Sequence, residues 1–311
     1  MDLFESKNIK PMLIGEMQEA FNSPDYIYEL KLDGERCVAY LDKECTELRN
    51  KRNIKMLIKV PELSNIHKQV KHRCILDGEL IVIKDGKPDF YEIQRRSLMS
   101  NSFKIQLAST RLPASFTAFD ILYYKDHLVT DLPLMERKKL LEKVIVENER
   151  IAVSRYIEER GIEFYQLAKQ NQLEGIVAKR KDSKYYFDKR TKDWIKIKYL
   201  LDDDFVVCGY ILKSGGIISI VLGQYLDKVL LYKGHVTLGV STEDFKLIKS
   251  LPRINTQPFH ELPSGNENAI WIEHSLVCTV KFMMRTSTGS MRQPVFKGLR
   301  DDKSPEDCIV K

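Results

Sequence analysis

Six charged side chains interrupt apolar, strand-like runs of this chain: Lys31, Glu79, Asp120, Glu174, Lys196 and Lys198. One such charge is explained by a solvated sheet face. Charges repeated over five strands predict a charged groove between sheets. Lysines beside carboxylates suit a phosphorylated ligand plus a divalent cation, because carboxylate oxygens bind Mg²⁺ and lysines meet phosphate as point charges. No glycine-rich phosphate loop is present, since Lys213-Ser214-Gly215-Gly216 lacks the spacing. Phosphates must then be held by side chains. The six histidines form no metal-spaced pair and suggest no Ser-His-Asp arrangement. By elimination the candidate nucleophile is a lysine.

The elements that carry these residues can be read from local pattern. In Ile27-Tyr28-Glu29-Leu30-Lys31-Leu32-Asp33, alternation puts Tyr28, Leu30 and Leu32 on one face and Ile27, Glu29, Lys31 and Asp33 on the other. Asp33-Gly34 predicts a hairpin turn, with Arg36 to Tyr40 as the returning strand. Residues 46–53 read as a short strand leading into a basic loop; further strands are expected at 74–82, 115–123, 174–180 and 194–199, and helices at 89–101, 133–148 and 162–171. In the second of these helices, Glu136-Arg137-Lys138-Lys139 reads as an outward charged block. The run Leu201-Asp202-Asp203-Asp204 breaks the pattern. Beyond it come short strands and one helix, 242–251, the texture of a small barrel of the OB type. The expected domains are 1–201 and 202–311.

Composition sets the outer limits. A chain of 311 residues favours two domains, and 43% apolar with 30% charged residues is globular. A net charge of +6 permits a polyanionic partner without requiring one. No apolar run approaches the ~20 residues of a membrane span, and the opening MDLFESKNIKP is not a signal peptide. Cys37, Cys45, Cys74, Cys208, Cys278 and Cys308 include no C-x-x-C pair. This argues against zinc and for reduced thiols in a cytoplasmic protein.

Lys31-Leu32-Asp33-Gly34-Glu35-Arg36 matches K-x-D-G-x-R. Five more segments follow in order: Leu48 to Asn53, Asp77-Gly78-Glu79-Leu80, Phe119-Asp120, Glu174-Gly175-Ile176-Val177 and Trp194-Ile195-Lys196-Ile197-Lys198. A last run, Met291 to Lys303, completes the set. Together they resemble the motifs of ATP-dependent DNA ligases, and the last run resembles the ligase domain of bacterial non-homologous end-joining ligases. Lys51 stands where a serine is commoner in that family.

The resemblance implies an α+β protein: an antiparallel-sheet, ATP-grasp-like nucleotidyltransferase domain followed by an OB-fold barrel. It implies that Lys31 attacks the ATP α-phosphate, that AMP passes to the 5′-phosphate of a nick, and that the 3′-hydroxyl displaces it. A free lysine titrates near ~10.4, so neighbouring positive charge is needed to free its lone pair. By motif position, Glu29 would accept from the adenine 6-amino group and Phe119 would stack on the ring. Glu79 and Glu174 would hold Mg²⁺ or Mn²⁺, with Glu79 an alternative ribose contact. Arg36, Arg52 and Arg190 would hold ribose or phosphate, and Lys196 and Lys198 the α-phosphate. Arg300 and Lys303 would reach the pyrophosphate, while Asp33 and Asp301 would help fix the domain orientation. The implied partners are nicked duplex DNA and separate DNA-end-binding repair proteins, for a minimal, monomeric ligase. An RNA ligase or capping guanylyltransferase is the nearest rival. A carboxylate at Glu29 would repel the guanine oxygen, which disfavours the guanylyltransferase. A catalytically dead DNA-end-binding module is the rival of another class.

Overall fold

A computed structural model describes residues 3–286 and 289–310. Met1 and Asp2, which open the segment read for a signal peptide, lie outside them. The chain divides into two compact units, Met1–Tyr199 and Leu200–Lys311.

The first unit runs α1 (Leu3–Ser6), β1 (Leu13–Met17), β2 (Ser23–Leu30), β3 (Glu35–Leu41), β4 (Thr46–Asn50), β5 (Cys74–Lys84) and β6 (Lys87–Pro88). It continues through α2 (Phe90–Leu98), α3 (Ser102–Arg111), β7 (Ala114–Tyr124), β8 (His127–Leu128), α4 (Leu134–Val144), β9 (Ile151–Val153) and β10 (Tyr156–Glu159). It closes with α5 (Gly161–Gln170), β11 (Gly175–Arg180) and β12 (Arg190–Lys198). Asp89 and Asn101 start α2 and α3 by accepting from the backbone N–H groups of Glu92 and Lys104. The single helix expected over 89–101 is therefore the first of two.

These elements build a five-stranded sheet, β1-β12-β11-β2-β10, and a seven-stranded sheet along β4-β3-β5-β7-β8, with β6 on β5 and β9 on β7. Pairing is antiparallel except for β1 with β12 and β7 with β9. Ile27, Val38, Ile75, Leu122, Val177 and Trp194 form one buried cluster, so an apolar layer joins strands of the two sheets. Tyr28, on the other face of β2, clusters with Ile176, Ile195 and Ala168 of α5. Ala39, Leu76, Ala118 and Leu141 belong to a third cluster on the seven-stranded sheet.

Two expectations fail here. β2 and β3 do not form a hairpin; they belong to different sheets. Asp33-Gly34 lies in the crossing between them. Gly34 is needed there for approach rather than for a turn: a Cβ would lie 2.1 Å from the Leu80 carbonyl oxygen. Nor is the block on α4 outward. Glu136 and Lys139 are exposed, but Arg137 and Lys138 are fully buried. They are the partners of two buried carboxylates, Asp120 and Glu29. A buried charge is kept in place by such pairing.

β7 departs from simple alternation. Its register on β5 slips twice, Ile75↔Tyr123 to Leu76↔Ile121 and Asp77↔Asp120 to Gly78↔Ala118. Leu122 and Phe119 are the residues left without a partner. Both belong to the layer between the sheets.

The second unit contains β13 (Leu201–Leu212), β14 (Ile218–Leu226), β15 (Val229–Val236), α6 (Thr242–Ser250), β16 (Ile270–Trp271), β17 (Val277–Phe282) and β18 (Val295–Arg300). They form one antiparallel sheet, β15-β14-β13-β17-β18, with β16 on β13, an OB-type barrel. The acidic run is not a break. Leu201 to Asp204 begin β13 and pair with β17. Asp203 accepts from Arg285 and Gln224, and Asp204 from Thr279 and Lys303.

Candidate active site

The end of β2 opens into a cavity of about 360 Å³ within the first unit. Glu29, Lys31, Arg36, Glu79, Phe119, Arg190 and Lys196 all line it. Other expected residues do not. Among the described residues, Asp33, Arg52, Glu174 and Lys198 are not in the lining. Arg52 is exposed, and its neighbour Lys51 takes the wall instead. Asp120 faces away from the groove, buried in an ion pair with Arg137 at 2.8 Å. In the second unit Arg300 pairs with Asp302, Lys303 pairs with Asp204, and Asp301 is exposed.

Lys31 is fixed at both ends. Its backbone N–H donates to Gly175 O at 2.9 Å, and its ammonium lies 2.7 Å from Glu174 Oε2. Glu174 also holds Lys198 at 3.1 Å, so one carboxylate ties two lysines together behind the cavity. Gly175 makes this junction possible. Its φ is +137°, and a Cβ would meet the Ile197 carbonyl oxygen at 2.1 Å.

Glu29 is 2% exposed, forms an ion pair with Lys138 at 2.7 Å and accepts from Lys179 at 3.1 Å. Burial pushes its carboxyl up, but the two ammonium groups outweigh it and leave it below its ordinary value. Burial likewise pushes Lys179 down to about 8, against the pull of Glu29. Its ammonium lies 4.5 Å from the Phe119 ring centre and 4.1 Å from that of Trp194. Arg36 is held by Asp77 at 3.0 and 2.6 Å and lies 5.4 Å from the Phe119 ring centre. Asp77 accepts a further bond from the Tyr185 hydroxyl at 2.6 Å. Lys196 is lowered by burial and then by Lys198 and Lys31.

Burial pushes Glu79 up to about 8, with Lys31 and Arg36 pulling the other way. Among the described residues it has no ion pair. Among those residues, too, no three His, Cys, Asp or Glu side chains gather as a metal site. Mg²⁺ commonly takes one or two protein carboxylates and completes its shell with water and substrate phosphates. A half-buried, unpaired carboxylate in a cavity wall fits that habit.

Glu79 and Lys179 predict a pH signature. Between 4.5 and about 8 the folded Glu79 holds a proton that the unfolded one has lost, so its contribution to stability falls as pH rises. Between about 8 and 10.5 the unfolded Lys179 holds a proton that the folded one has lost, so its contribution rises with pH. Their joint contribution is therefore least near pH 8. Urea denaturation should show wild type gaining on Glu79→Gln as pH falls from 8 to 6. It should gain on Lys179→Met as pH rises from 8 to 10, by roughly 2–3 kcal/mol over the full window.

A cavity between two sheets, a lysine just past the end of an inner strand and a following OB barrel define a covalent nucleotidyltransferase. The family model "ATP dependent DNA ligase domain" matches residues 10–198, and "ATP dependent DNA ligase C terminal region" matches residues 213–303. The chain belongs to the ATP-dependent DNA ligase family. It is 27% identical over 296 residues to the SPbeta prophage-derived DNA ligase-like protein LigB of Bacillus subtilis, covering 94% of this chain and 99% of that one. It is 27% identical over 319 residues to the multifunctional non-homologous end joining protein LigD of Mycobacterium bovis, covering 99% of this chain but 40% of LigD. The solved structure of mycobacterial DNA ligase D complexed with ATP and MES is 26% identical. It aligns with a TM-score of 0.57 over 98% of this chain and 99% of that one. No helix among the described residues is long and apolar enough to cross a membrane.

Proposed function

We propose that this chain seals nicks in duplex DNA, joining a 5′-phosphate to a 3′-hydroxyl at the expense of ATP, through AMP carried on Lys31. The carrying observation is the placement of Lys31. Its ammonium is in the wall of a cavity that also holds Glu29, Phe119, Arg36 and Lys196, and it is tethered to Glu174.

In this reading Phe119 stacks on adenine and Glu29 accepts from its 6-amino group. Lys196, with Arg190 and Lys51 along the same wall, neutralises the phosphates. Lys31 then forms a bond to the α-phosphorus, and pyrophosphate leaves with the bonding pair of the broken P–O bond. The amine proton passes to solvent or to a neighbouring carboxylate. Glu79, with Glu174, would hold Mg²⁺ or Mn²⁺, which supplies charge neutralisation at the phosphates when bound. AMP next moves to the DNA 5′-phosphate, and the 3′-hydroxyl displaces it. Arg300 and Lys303 act on the pyrophosphate, and the chain works as a monomer.

Incubation with α-labelled ATP and Mg²⁺ should label the protein. Adding singly nicked duplex should move the label to DNA and then yield a sealed strand, with duplex DNA preferred over an RNA–DNA hybrid. A protein that takes no label would overturn the reading. Because phosphate contacts dominate such binding, affinity for nicked duplex should fall by roughly a thousandfold or more between 50 and 200 mM salt, as checked by gel shift.

A further inference from the structure

One ammonium behind the cavity reaches three of its walls. Lys138, on α4, lies 2.7 Å from Glu29 Oε1 and donates to the carbonyl oxygens of Phe119 and Ser154, both at 3.3 Å. Glu29 is on β2 of the five-stranded sheet, and Phe119 is on β7 of the seven-stranded one. Ser154 follows β9, and its hydroxyl also bonds to Glu29. All three acceptors line the cavity, whereas Lys138 stands outside its lining with its side chain 1% exposed. Two hydrogen bonds to carbonyl oxygens and one ion pair thus hold the ammonium. The group therefore cannot turn without releasing a wall.

We propose that Lys138 is the positioning residue of the base pocket, and that by fixing Glu29 against Phe119 it sets the preference for a 6-amino over a 6-oxo purine. The proposal rests on Glu29 being the acceptor for the amino group. A carboxylate offers about four lone-pair sites. Lys138 and Lys179 approach different oxygens, and with the Ser154 contact about one site remains for a base amine. A 6-oxo purine would set acceptor against acceptor, and the unpaired, buried group gives the discrimination. Lys179 cannot do this alone. It lies in the cavity wall itself, and although its ammonium faces the Phe119 ring at 4.5 Å, its side-chain hydrogen bond goes to Glu29, so among the described contacts it does not hold the backbone that carries Phe119. Removing Lys138 leaves Glu29 anchored on one oxygen and frees the backbone that carries Phe119.

The test compares wild type, Lys138→Met, Lys138→Arg and Glu29→Gln in single-turnover self-nucleotidylation with ATP and with inosine triphosphate. The ratio of the two kcat/KM values does not depend on how much of a variant is folded. Lys138→Met should raise KM for ATP with a much smaller effect on kcat. It should lower the ATP-to-inosine-triphosphate preference by roughly tenfold or more, and Lys138→Arg should restore most of that preference. If Glu29→Gln collapses the preference while Lys138→Met weakens both nucleotides equally, Lys138 is only structural and the proposal fails. If Glu29→Gln leaves the preference unchanged, the reading of Glu29 fails, and this proposal with it.

Discussion

Lys31→Ala is expected to abolish self-adenylation while still closing a nick whose 5′ end already carries AMP. The first reaction needs an amine as nucleophile, and the loss should be roughly a thousandfold or more, as for other nucleophile deletions. The other amines of the site have other roles, Lys196 in the cavity wall being assigned to the phosphates. Lys198 is held by Glu174, and Lys179 is buried against Glu29 and two aromatic rings. Arginine cannot substitute, because it does not deprotonate at working pH. The last reaction uses the 3′-hydroxyl as nucleophile, so Lys31→Ala should retain it at a reduced rate, the reduction reflecting a lost cation near the phosphate. Mass spectrometry after ATP treatment gives a direct check. An AMP adduct on a peptide without Lys31 would overturn the assignment.

Asp120→Ala is expected to cost about 3–5 kcal/mol of stability, the usual loss when a buried ion pair is broken from one side. Both partners are 0% exposed, and Arg137 meets Asp120 twice, Nε to Oδ1 at 2.8 Å and Nη2 to Oδ2 at 2.9 Å. Without the carboxylate, Arg137 keeps the carbonyl oxygens of Leu132 and Ser183, which carry no compensating charge. Asp182→Ala, which removes the partner of Arg180 in an exposed pair, should leave stability almost unchanged. Urea denaturation of both variants separates the two cases. Equal, small losses would mean that the Asp120 pair does not anchor β7. Since Phe119 precedes Asp120, the large loss should come with a raised KM for ATP.

Alternation along β2 was legible in sequence. Tyr28 packs toward α5, Ile27 toward the layer between the sheets, and Glu29 and Lys31 open into the cavity. Glu79 on β5 and Lys196 on β12 stand in the cavity wall as charge in an apolar strand suggests, whereas Glu174 and Lys198 pair with each other outside the lining. The crossing at Asp33-Gly34 was not. An Asp-Gly pair permits a tight turn, and the same small residue also permits backbone contact with a distant strand. Arg137 and Lys138 read as solvent-facing because charge is the ordinary sign of exposure. Their partners, Asp120 and Glu29, are remote in sequence, and only the fold brings them within reach. Lys51 rather than Arg52 reaches the cavity, a choice made by the bend at Asn50, whose side chain accepts from the N–H groups of Arg52 and Ile54.

The two slips of β7 have a further consequence. Cys74–Val82 runs over nine residues and the stretch opposite it, Ala114–Tyr124, over eleven. A longer path held to a shorter track must arch, as a metal strip does when one side lengthens. Arching turns a flat sheet into a cup, and Phe119 is one of the two surplus residues that make the arch. The pocket is thus partly a matter of contour length. A chain with every side chain of the site in place, but with β7 trimmed to match β5, would offer a flatter wall and no hollow for a base to enter.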